Sequence, residues 1–131
     1  MTNSIIKPLQ LEDIPQIITK FSDDFYYKFR GSKYISKEDV IKDVERNLLE
    51  MFASGEIFGY KLLENGTILM SAIIKESTWD SDILGCKTGK LMLFFDTGEE
   101  NVSKFINYLY SRCSERGFNL IITRVNLEKT R

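Results

Sequence analysis

The residues with chemical potential in this chain of 131 cluster in a few places. Between an apolar run, Lys90 to Asp96, and an amphipathic stretch, Val102 to Arg116, lies Thr97-Gly-Glu-Glu-Asn101. A loop that opens a helix exposes backbone N–H groups and the positive end of the helix dipole. It can therefore hold an anion such as a pyrophosphate. Glu99 and Glu100 also fit the first turn of that helix, where acids complement the dipole. Glu76, at the end of another apolar run, could act as a general base through a water. Any carboxylate at a strand end would read the same way.

Cys86 and Cys113 are the two thiols. Cys113 falls on the apolar stripe of its helix and reads as core. Cys86 lies in a predicted loop, where a nucleophile would need a base to form thiolate. The chain has no histidine. That removes the usual partner of such a thiol and rules out a Ser-His-Asp triad or a conventional zinc site within the chain. No metal site is expected. Tyr26 and Tyr27, with Phe25 and Phe29, form an aromatic cluster suited to packing or to an acceptor pocket. Trp79 could face a substrate or cover the core edge, and Asp80 and Ser81 could form an Asx-type turn.

Elements to position these groups are legible. Ser4 to Leu9 reads as a strand ending near Pro8. Asp13 is a candidate N-cap with Pro15 in the first turn. Ile14, Ile17, Ile18, Phe21 and Phe25 recur at helical spacing. Ser36 with Asp39 resembles a capping box, followed by the stripe Val40, Ile41, Val44, Leu48, Met51 and Phe52 and a stop at Gly55. Glu56 to Leu63 and Ile68 to Lys75 read as strands joined by Asn65-Gly66, which suits a type I′ turn. Ser77 to Gly89 reads as a loop. After the helix, Gly117 is a stop and Phe118 to Val125 a last strand. The order β-α-α-β-β-loop-β-α-β predicts an α/β domain with a mixed, mostly antiparallel sheet flanked by helices.

Composition narrows the class. Hydrophobic residues make up 43% and aromatics 12%, enough for one packed domain spanning 1–131. The net charge of -1 leaves no basic footprint for nucleic acid. No apolar run approaches the ~20 residues of a membrane span, and no secretion signal is legible. A cytoplasmic location is the default expectation.

The element order resembles the GNAT acyltransferase superfamily. Ile6-Lys-Pro-Leu-Gln-Leu-Glu-Asp-Ile-Pro-Gln-Ile17 is similar to that family's opening strand and first helix. Phe58-Gly-Tyr-Lys-Leu-Leu-Glu-Asn-Gly-Thr-Ile-Leu-Met-Ser-Ala72 is similar to its second and third strands with their turn. Arg116-Gly-Phe-Asn-Leu-Ile-Ile-Thr-Arg-Val-Asn126 resembles its fifth strand. Trp79-Asp-Ser-Asp-Ile-Leu-Gly85 is similar to a segment of some sugar-amine acetyltransferases.

The resemblance implies acetyl-CoA as cofactor and an N-acetyl transfer to a small amine or amino sugar, with no metal. Phe94, Phe95 and Asp96 would face the pantetheine arm, with Asn126 a further contact to it. Thr97, Gly98 and Asn101 would lie in the pyrophosphate loop. The family loop is usually richer in glycine and carries a cation, whereas Asp96-Thr-Gly-Glu-Glu-Asn101 has one glycine and no Lys or Arg. In such an enzyme Glu76 or a water-linked carboxylate would be the base, with no assignable proton donor; the resemblance implies the region of Tyr26 and Tyr27 toward the acceptor, and Trp79 is a further candidate there.

The family's next helix and last strands would follow Asn126. The expectation is therefore an N-terminal part of a longer acyltransferase, with a downstream catalytic domain as partner. The alternative is a non-catalytic accessory, ligand-binding or dimerisation module. An open sheet edge would allow a homodimer.

Overall fold

The computed structural model describes residues 4–21, 36–96 and 102–123, without the side chains of 93–96 and 123. Five strands and four helices follow in the order β1 (Ser4–Pro8), α1 (Asp13–Lys20), α2 (Lys37–Ala53), β2 (Ile57–Glu64), β3 (Thr67–Glu76), α3 (Thr78–Leu84), β4 (Thr88–Asp96), α4 (Val102–Glu115) and β5 (Leu120–Thr123). The strands form one sheet in sequence order, β1-β2-β3-β4-β5. Neighbours are antiparallel except β4 and β5, which are parallel. A parallel pair requires a crossover, and α4 supplies it. The predicted mixed, mostly antiparallel sheet is the one observed.

Both sheet faces are covered. On one face α1 and α2 bury Ile14, Ile17, Ile18 and Leu48 against Ile57 and Ile73. On the other, α4 lays Phe105, Leu109 and Cys113 on Leu62, Ala72 and Ile74. Central β3 thus buries residues on both faces, and its sequence from Ile68 to Ile74 reads as an apolar run rather than an alternation.

The local signals act as expected at most element ends. Ser36 Oγ accepts from the Asp39 N–H at 3.2 Å. Asn65 and Gly66 have φ of 53° and 79°, the positive pair a two-residue hairpin turn requires. Three readings are corrected. Asp13 is the first helical residue of α1 rather than its N-cap, which is Glu12. Its carboxylate instead accepts from the Gln10 N–H at 2.8 Å and from Lys61 Nζ at 2.6 Å.

The second correction is α3, which occupies a segment read as loop. Ser77 caps it, accepting from the Asp80 N–H at 3.3 Å, and Gly85 ends it in the left-handed conformation. None of its residues is buried. Ser77, Ser81 and Thr88 tie its polar side to the body, so no apolar stripe toward the core announces it. Third, β4 begins at Thr88, two residues before the run predicted for it. The predicted continuation of the first helix to Phe25 and of the last strand to Val125 lies outside the described residues.

Candidate functional site at the end of strand β4

The ladder between β4 and β5 is short. Thr88, Gly89, Lys90 and Leu91 pair with Leu120, Ile121, Ile122 and Thr123. Among the described residues β4 then runs on from Met92 to Asp96 with no partner on the β5 side. At the same point its pairing with β3 shifts: Ile74 faces Leu91, and Ile73 faces Leu93. Met92 is therefore the extra residue of a β-bulge. A bulge bends its strand, raises the local twist and leaves backbone groups outside the ladder. Leu91 packs with the α4-side core and Met92 with the α1/α2-side core. The sequence Lys90-Leu-Met-Leu-Phe-Phe-Asp96 does not announce this bulge, because its five inner residues, Leu91 to Phe95, are apolar throughout and either register fits them.

Gly89 sets how closely β4 and β5 approach. A Cβ on Gly89 would lie 2.8 Å from Ile121 Cδ1 and 3.1 Å from Phe118 Cδ1, so a bare backbone there lets β5 close on β4. Crossover helix α4 starts at Val102, six positions after the last residue of β4, and its first N–H groups have no partner within the helix.

Backbone positions 94–96, expected toward a cofactor, pair with β3 on one side and have no described partner on the β5 side. Thr97, Gly98, Asn101, Asn126, Tyr26 and Tyr27 lie outside the described residues. Glu76 and Trp79 lie elsewhere. Glu76 pairs with Gly89, while Met70 pairs with Asp96. The two positions are seven residue steps apart along β4, on the order of 20 Å. The Glu76 carboxylate faces Lys87 Nζ at 3.6 Å. Trp79 stands on α3 at that same far end, 71% exposed. The structure does not bring either residue to Asp96.

The far end is closed by cations on aromatic rings. Arg116 lies 4.0 Å from the Phe58 centroid and Lys87 Nζ 4.5 Å from that of Phe118. Their stems and charges cover apolar rings that would otherwise meet water. Among the described residues no group of three Cys, Asp or Glu is placed to hold a metal ion, and no helix is long and apolar enough to cross a membrane.

The thiols differ in environment. Cys86 is half-buried, its Sγ 3.8 Å from Thr88 Oγ1, with no base among its described partners. Cys113 is buried under α4, and burial pushes its thiol up, against a smaller lowering by Arg116. Titration of the native protein with a thiol reagent near pH 8 is expected to label Cys86 first. Cys113 should react at least about tenfold more slowly and catch up in denaturant, since the thiolate is the reactive form. Equal native rates would contradict the burial of Cys113.

No family model matches the sequence, and a search of curated proteins finds no match. Solved structures do match. A GCN5-related N-acetyltransferase from Ralstonia eutropha JMP134 superposes with a TM-score of 0.77 at 18% identity, covering 98% of this chain and 87% of that one. A predicted acetyltransferase with acetyl-CoA from Clostridium acetobutylicum superposes at 0.69 and 14% identity, over 95% and 82%. An aminoglycoside acetyltransferase from an uncultured soil metagenomic sample, in complex with sisomicin, superposes at 0.65 and 13% identity, over 96% and 80%. The fold is that of the GCN5-related N-acetyltransferases.

Proposed function

We propose that this chain belongs to the GCN5-related acetyltransferases by function as well as fold. In this reading it binds acetyl-CoA along the free side of β4 and passes the acetyl group to a small amine. The observation that carries the proposal is the bulge at Met92, set where the described β4–β5 ladder stops. From Met92 to Asp96, β4 offers five residues of backbone with no described partner on one side. The pantetheine arm of CoA is a chain of amides and can pair with such an edge as a further strand would. A neighbour of the same fold is known with acetyl-CoA.

The residues present fit the group in outline. Backbone at Phe94, Phe95 and Asp96 would hold the arm, with Asn126 as a further contact. Thr97, Gly98 and Asn101, with the first N–H groups of α4, would hold the pyrophosphate. Acetyl-CoA supplies an activated thioester. The protein's part is to fix its carbonyl and to exclude water while the amine approaches. Backbone N–H groups released from the ladder by the bulge are suitable donors to that carbonyl.

Release of free CoA, followed by a thiol dye while small amines and amino sugars are screened, tests the activity. Amine-dependent release above the hydrolytic background is the expected result. Background release with every amine, despite bound acetyl-CoA, would leave a ligand-binding module in place of an enzyme.

A further inference from the structure

The stretch of β3 that backs the end of β4 is framed by two register shifts. Met70 to Ile73 pair with Asp96 to Leu93, and the bulge at Met92 bounds that short ladder at its Ile73 end. At its Met70 end, Leu62 faces Met70 while Leu63 faces Ile68, so Leu69 is the extra residue of a second bulge, this one in β3. The packing agrees. Leu69 and Met70, though consecutive, both pack with the α4-side core, and Ile68 turns to the α1/α2-side core. Strict alternation would put Leu69 and Met70 on opposite faces.

A lysine holds this second bulge. Lys20, the last residue of α1, donates from Nζ to the carbonyl of Ile68, the residue just before Leu69. The ring of Phe21, a member of the α1/α2-side core, lies 5.9 Å from the same ammonium. A bulge releases backbone groups from the ladder, and a hydrogen bond from an ammonium is about twice as strong as one between neutral groups. Helix α1 is thereby pinned to the sheet at both ends, by Lys61 on Asp13 in its first turn and by Lys20 on Ile68 in its last. The two pins differ in kind. The first sets charge against charge, whereas Lys20 gives its charge to backbone at the end of the sheet where β4 finishes.

We propose that Lys20 is a positioning residue of the acetyl-CoA site, a role that rests on the reading of β4 as that site. Lys20 itself touches neither cofactor nor amine. It fixes the start of the ladder from Met70 to Ile73, and that ladder holds residues 93–96 in line on the side of β4 away from β5. Without the lysine the ladder frays from its Met70–Asp96 end. A cofactor that needs the ordered strand then binds with an affinity reduced by the fraction of molecules that hold it. Saturating cofactor restores the order, so the step after binding is unchanged.

Calorimetry with acetyl-CoA, amide exchange of the free chain and thiol-dye kinetics test this on the full chain and its variants. Lys20→Met is expected to raise the Kd for acetyl-CoA about tenfold and to leave kcat at saturating acetyl-CoA within about twofold. It should also speed amide exchange at Met70 and Asp96. Lys20→Arg keeps a cationic donor and should restore both Kd and exchange. Lys87→Met removes a lysine-to-carbonyl bond of the same kind at the far end of the sheet, to Arg116 at 2.9 Å, and should leave both unchanged. Heat with the unmodified chain, together with an unchanged Kd or unchanged exchange in Lys20→Met, overturns the proposal alone. So does a Kd that Lys87→Met raises as much as Lys20→Met, or one that Lys20→Arg fails to restore. No heat with the unmodified chain overturns the reading of β4 and the proposal with it.

Discussion

Asp13→Ala is expected to destabilise the fold by about 3–5 kcal/mol, the cost of leaving one member of a buried ion pair alone. The Asp13 and Lys61 side chains are 7% and 13% exposed, and their contact is 2.6 Å. Lys61 lies in β2, so the pair ties the first turn of α1 to the sheet. Removing the carboxylate leaves an ammonium in an apolar layer and also takes the acceptor of the Gln10 N–H. Ser71, across the strand from Lys61, is buried with a hydroxyl that has no partner among the described residues, but a neutral acceptor does not balance a buried ammonium as a carboxylate does. The double variant Asp13→Leu, Lys61→Met should recover most of the loss, because replacing both charges by apolar groups removes the desolvation cost. Urea unfolding followed by circular dichroism measures both. A loss under about 1 kcal/mol in the single variant would place the pair in water.

Gly59→Val is the second large expected effect, at about 3 kcal/mol or more, the upper range for overpacking. A Cβ at Gly59 would stand well inside contact distance of the Ala72 carbonyl oxygen and 2.5 Å from Leu9 Cδ1. A side-chain tip could rotate away, but a carbonyl in the middle of β3 cannot move without breaking its ladder. The Gly59 carbonyl also accepts from the Leu9 N–H at 2.8 Å, which fixes the chain between β1 and α1. Gly55→Ala is the contrasting case. It has open space around it and only its φ of +81° to resist substitution, so about 1–2 kcal/mol is expected. Thermal unfolding of the two variants should rank them in that order. The reverse order would mean that β2 and β3 are not so closely spaced at Gly59.

These two sites also mark what sequence can and cannot disclose. Periodicity showed α2 through Val40, Val44 and Leu48, and turn chemistry showed the hairpin at Asn65-Gly66, because those signals are local. Asp13 was visible as a polar residue at a helix start, but its partner Lys61 is 48 positions away and no local rule links them. Gly59 looked like any strand glycine, since the clash that excludes a side chain comes from a neighbouring strand. Helix α3 turns Trp79, Ile83 and Leu84 outward, which reverses the pattern by which helices are recognised in sequence. Ser77-x-x-Asp80 and Gly85 were the capping signals that could have found it.

The candidate site divides in the same way. The strand-loop-helix-strand order around Lys90 to Arg131 pointed to the fold. The bulge at Met92, which the proposed chemistry depends on, is a matter of register between β3 and β4. An all-apolar strand does not encode its register locally. Glu76 reads in sequence as a strand-end carboxylate, a property it shares with other acids. Only the pairing of β3 with β4 shows that it stands far from Asp96.

The central claim is that acetyl-CoA lies along β4 beyond Met92. Hydrogen exchange of the full chain, with and without saturating acetyl-CoA and alongside a calorimetric titration, tests it most directly. The account predicts measurable heat of binding and slower exchange confined to residues 92–101, the first turn of α4 and the surroundings of Asn126. No heat at millimolar acetyl-CoA, or protection that appears at α3 and the far end of the sheet, would contradict it.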